Sequence, residues 1–166
     1  MENVQKHIKD KGDGQIKQYK LKNYTTSISV EKTIMEIEQM LSSFGASHVV
    51  KEYNNEGVVK CIIFKSNNAS FKLPCNSEGV RTLFMQNRDL YKGISPNNFQ
   101  EQSVKVAWRM IKDWLHSQLS LVATQQAKLE EVMLPYMWDG KRTLFEAYDQ
   151  GILKIENKGD INGKSD

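Results

Sequence analysis

The chain has 166 residues, enough for one domain with a real core, and carries 23 basic against 20 acidic side chains. A net charge of +3 permits contact with nucleic acid without arguing for it, because dedicated binders show a larger excess or a tight cluster. No apolar run approaches the ~18 residues of a membrane span, and the N-terminus lacks an apolar signal core. The two cysteines, Cys61 and Cys75, fit no metal or disulfide framework, so a protein of the reducing cytoplasm without membrane contact is expected.

Residues 1–23 are polar and rich in lysine, with Gly12-Asp13-Gly14 in their midst, and read as a flexible basic arm. A single domain is expected over residues 24–150, with a flexible tail over 151–166. Val30, Ile34, Ile37, Leu41 and Phe44 recur at helical spacing, with Ser29 as cap and Gly45 as left-handed stop. Strands are expected over residues 47–53, 58–65 and 69–73, separated by Asn54-Asn55-Glu56-Gly57 and Ser66-Asn67-Asn68. Such short connections make an antiparallel meander. The middle strand reads as apolar on both faces, with Val59, Cys61 and Ile63 on one and Ile62 and Phe64 on the other, so it is central or covered twice. Asn76 or Ser77 caps a short helix through Gln86 that turns Val80, Leu83 and Phe84 inward, and residues 89–98 read as a loop.

Residues 100–138 hold all three tryptophans and form the longest helical pattern. Val104, Trp108, Ile111, Leu115, Leu119 and Val122 make one stripe, which Ala107 and Trp114 widen. A helix so apolar is buried on more than one side, by its own domain or by a second subunit, and a homo-oligomer is expected. Unbroken, it would exceed ~50 Å at 1.5 Å per residue, so a break is expected between Ala123 and Ala127. Leu134 precedes Pro135 and ends the second segment. Asp139-Gly140 is a turn, and Thr143 with Glu146 forms a capping box that opens a last short helix. The resulting class is α+β: an N-terminal helix, a three-stranded antiparallel meander, then long C-terminal helices packed on the sheet or on a second subunit. Double-stranded-RNA-binding domains share the order helix, three strands, helix. Where they carry a lysine cluster and a Gly-Pro-x-His turn, this chain has Gln100-Glu101-Gln102-Ser103 and Asn54-Asn55-Glu56-Gly57.

Lys105, Arg109, Lys112 and His116 line one face of the long helix, and Arg81 and Arg88 are the charged members of the shorter one, Arg81 joining the candidate site. Either this face is simply solvated, or it holds a phosphate-bearing ligand, a nucleotide signal or single-stranded nucleic acid. In the second case Arg109 supplies a bidentate fork and Trp108 or Trp114 stacks a base; otherwise the two rings are core. His7, His48 and His116 are scattered, and Glu130, Glu131 and Glu146 are of the kind common on helix surfaces. No catalytic residue, cofactor or metal is therefore expected. The alternative function is a protein–protein inhibitor or assembly module whose long helix offers its apolar face to a host protein or a second copy.

Val106-Ala107-Trp108-Arg109, Lys112-Asp113-Trp114, Gln118-Leu119, Leu129-Glu130-Glu131-Val132 and Leu134-Pro135-Tyr136 form a recognisable pattern. Residues 27–33 and Gly140, Thr143-Leu144 and Glu146 extend it. Over about residues 24–148 the chain resembles a family of small proteins of phages and integrated mobile elements. The resemblance implies a phage-type accessory role, with counter-defence among the possibilities, and no reaction. Members often have a small residue or glycine where this chain has Thr124-Gln125-Gln126.

Overall fold

The computed structural model describes residues 19–155. Helix α1 (Val30–Ser43) begins at Ser29, whose side chain accepts from the Lys32 N–H, and ends at Phe44 and Gly45, the latter at φ +83°. The meander follows as β1 (Ala46–Tyr53), β2 (Val59–Ser66) and β3 (Ala69–Pro74), antiparallel in the order β1-β2-β3. Helix α2 (Ser77–Gln86) starts at Asn76, whose side chain accepts from Gly79 N–H. A 3-10 turn (Pro96–Asn98) feeds α3 (Phe99–Ala123). The short α4 (Leu129–Val132), a second 3-10 turn (Leu134–Tyr136) and α5 (Leu144–Asp149) complete the α+β architecture. Among the described residues, no helix is long and apolar enough to cross a membrane.

Two cores share α3. On one side Val104, Trp108, Leu115 and Leu119 meet Ile37 and Leu41 of α1 and Ile62, Phe64, Phe71 and Leu73 of the sheet. On the other, Phe99, Val106 and Ala107 meet Val80 and Phe84 of α2, together with Leu21, Tyr91 and Ile94. The apolar circumference of the long helix is thus met within its own chain. Met110 and Leu121 are the large apolar residues that α3 leaves exposed, and Met110 lines a shallow depression with Ile111 and Trp114.

Two expectations change. Val59 and Cys61 do not share a face. The pairing slips between Glu52 and Tyr53, so β2 spends two steps, Val59 to Cys61, against one step of β1. The bulge turns Val59 towards the helices with Ile62 and Phe64, and turns Cys61 to the opposite face. The domain also starts before residue 24, because Leu21 is buried. Tyr91, in the segment read as a loop, is fully buried; its hydroxyl accepts from Leu21 N–H at 3.2 Å and donates to the Tyr19 carbonyl at 2.8 Å. The rest of the expected arm, residues 1–18, lies outside the described residues, as do residues 156–166 of the expected tail.

The expected break of the long helix is a Schellman turn. Gln126 N–H donates to Leu121 O at 2.9 Å and Gln125 N–H to Val122 O at 3.0 Å. Gln125 occupies φ +59°, where a Cβ is strained and glycine is not. Gln125→Gly is expected to stabilise the protein by about 0.5–1 kcal/mol, the relieved strain exceeding the entropy glycine adds to the unfolded chain. The check is a rise of the thermal midpoint, and an unchanged or lower midpoint contradicts it.

Candidate functional site

The basic row on α3 is met by carboxylates of the same chain. Ile34, Ile37 and Leu41 seat α1 against the core, which turns Glu36 towards α3. Glu36 Oε2 accepts from Arg109 Nη1 at 2.8 Å and from Lys112 Nζ at 2.9 Å. The Arg109 side chain is only 12% exposed, and its Nη1 is used in joining two helices. The ammonium of Lys112 lowers the Glu36 carboxyl from its ordinary value against the opposing effect of burial, and the guanidinium of Arg109 adds to the lowering. Lys105 pairs with Glu101 one turn earlier on α3.

The remaining members of the expected anion site do not converge on this row. Arg81 pairs with Glu78 on α2 at 2.8 Å. His116 is exposed, and among the described residues its ring has no hydrogen-bond partner. Trp108, expected as a stacking surface, is fully buried, with its indole N–H donating to the Val59 carbonyl at 3.2 Å. Trp114 is half-buried and meets Tyr136 edge to face at 5.2 Å. Both rings are therefore held by packing. Lys105, Arg109 and Lys112 share a face as expected, but each is held in an ion pair, Lys105 with Glu101 and the other two with the single carboxylate of Glu36.

Groups with catalytic potential are similarly occupied. Glu130 accepts from the Asn67 side chain, Glu131 from the Lys128 N–H and Glu146 from the Thr143 N–H. Cys61 donates to Glu52 at 3.0 Å, and burial followed by that carboxylate pushes its pKa to about 11. Burial pushes Cys75 to about 12. Both thiols stay protonated at neutral pH and are poor nucleophiles.

An open concavity lies elsewhere. A groove of about 720 Å³ runs between α1, the β1–β2 hairpin and the start of α3. Its floor is apolar, made by Val30, Ile34, Val58, Val59 and Val104. Met35 and Tyr53 stand at its sides about half exposed, at 49% and 54%. Its rim carries Glu31, Glu38, Glu56 and Glu101 against the single cation Lys51, which pairs with Glu38 at 2.7 Å. Glu31 and Glu56 form no ion pair among the described residues. A chain of net charge +3 thus places four of its 20 acidic residues around one apolar depression.

Only the α1 side of this groove has a signal in the sequence. Glu31, Met35 and Glu38 fall at i, i+4 and i+7, a methionine flanked by two carboxylates beside the core stripe. The contribution of Tyr53, Glu56 and Val104 depends on tertiary packing. Comparison with protein-family models, curated proteins and solved structures returns no match for the chain.

Proposed function

We propose that the protein is a non-catalytic interaction module that binds a protein partner in the groove between α1, the β1–β2 hairpin and α3. The observation that carries this reading is the groove itself, an open apolar floor flanked by half-exposed Met35 and Tyr53. Exposed apolar surface collected in a concavity and rimmed by polar groups is a mark of interaction sites. Methionine suits such a surface because its flexible thioether adapts to a partner's shape. The carboxylate rim repels phosphates, and the basic row that would attract them is paired with Glu36 and Glu101. The interaction reading therefore fits the geometry better than capture of a nucleotide or nucleic acid. The resemblance to proteins of phages and mobile elements supports a partner of the host, met in the host cytoplasm.

The test uses the full chain with a photo-crosslinking amino acid in place of Met35 or, as a control on the basic row, His116. Illumination in the host cell is expected to join a protein at position 35 and not at 116. The captured protein is then purified, and its affinity is measured for wild type and for Met35→Ala/Tyr53→Ala. Both side chains are about half exposed, so the double variant is expected to fold and to bind at least about tenfold more weakly. Adducts formed at position 116, adducts with nucleotide, or unchanged affinity of the double variant would each overturn the reading.

A further inference from the structure

The charge around the groove narrows the class of partner. We infer that the groove receives a basic amphipathic helix, its apolar stripe on the valine floor and its Lys or Arg side chains on the carboxylate rim. The inference rests on the groove being the contact surface. Four carboxylates and one lysine border the depression; Glu38 is paired with Lys51 and Glu101 with Lys105, while Glu31 and Glu56 are free of ion pairs among the described residues. An acidic or neutral segment would leave those charges repelled or unanswered, whereas a cationic one complements them and is steered towards them.

The form of the occupant follows from the walls. Val30, Ile34 and Val104 come from two helices, while Val58 and Val59 come from the hairpin end, so the floor is a trough and not a flat sheet face. A helix fills a trough with anchors at i, i+3 or i+4, and i+7. Addition of an extended strand is disfavoured next door. The sheet edge nearest the groove belongs to β1, whose pairing with β2 is irregular at both ends, between Ala46 and His48 and between Glu52 and Tyr53. Such irregularities twist and blunt an edge against further strands.

The test uses three synthetic peptides of about 18 residues, roughly five helical turns. One places leucines at helical spacing with lysines opposite. The second has the same composition in permuted order, without the stripe. The third replaces lysine by glutamate. Binding is followed by amide chemical shifts of the ¹⁵N-labelled full chain. The patterned basic peptide is expected to shift Met35, Tyr53, Gly57 and Val58, and to bind more weakly as salt rises. Glu31→Gln/Glu56→Gln is expected to weaken it about fivefold or more. These are exposed residues outside the core, so the variant's fold is preserved.

Equal binding of the glutamate peptide at the same amides would overturn the charge selection and leave the groove as the contact surface. Equal binding of the permuted peptide would overturn the amphipathic helix as the ligand. If no peptide moves the groove amides while the crosslinked partner still depends on Met35 and Tyr53, the inference fails and the interaction reading stands. Loss of both results removes the two together.

Discussion

Trp108→Ala is expected to lower stability by about 3–5 kcal/mol, the usual range for removing a large buried aromatic. The ring is fully buried in the core shared by α1, the sheet and α3, so alanine leaves a cavity with walls from three elements. Its indole N–H also satisfies the Val59 carbonyl beside the bulge of β2, and truncation leaves that acceptor without its partner. Urea denaturation followed by far-UV circular dichroism measures the loss, and the thermal midpoint should fall by about 10 °C or more for a chain of this size. Trp114→Ala is the comparison, because that ring is only half-buried and sits against Tyr136 at the margin of the same core. Trp108→Phe separates packing from the hydrogen bond. It should recover most of the lost stability and retain a deficit of about 1–2 kcal/mol from the lost hydrogen bond and the smaller ring. A Trp108→Ala variant no less stable than Trp114→Ala would contradict this placement of the ring.

The same residue marks the limit of reading this chain from its sequence. Features set by neighbouring residues were legible. The caps at Ser29, Asn76 and Thr143, the glycine stop after α1, the meander and the break after Ala123 all rest on chemistry within a few positions. Trp108 falls on the apolar stripe of α3, yet its adjacency to Arg109 invited a ligand-binding role. Which side of a helix meets the sheet is decided by packing. The parity of Val59 was hidden for a related reason, since a bulge is a property of two strands together. Leu21 read as part of a polar arm because its partner, Tyr91, lies 70 residues away. Glu36 was the costliest omission. Helical spacing aligned Arg109 and Lys112 correctly, but nothing near them announces a carboxylate 73 positions earlier. Whether a row of cations is open to a ligand depends on the partners the fold gives it, and those are tertiary.

Glu36→Gln tests this condition directly. Its carboxylate joins α1 to α3 through two cations, with its side chain 26% exposed, so removal should cost about 1–2 kcal/mol at neutral pH, at the lower end for a partly screened pair. The pH dependence has a defined sign. Lys112 first, then Arg109, lower the Glu36 carboxyl from its ordinary value of 4.5, so the native state favours the ionised form. The stabilisation is therefore fully present above that value and is lost as pH falls through the lower folded one. The gap in stability between wild type and Glu36→Gln should be constant from neutral pH to about 5 and close in the acid range below 4.5. A gap that widened with acid would contradict the pairing. The variant also leaves Arg109 and Lys112 side by side without their common counter-charge. Inorganic phosphate should then raise the thermal midpoint of Glu36→Gln more than that of wild type, because a binding anion stabilises the native state by mass action. If phosphate or a nucleotide instead stabilises the wild type equally, and Arg109→Ala abolishes the effect, the ion pair yields to ligand and the row is an anion site after all. The relative response of these two proteins to phosphate thus decides whether Glu36 is a structural clasp or a gate.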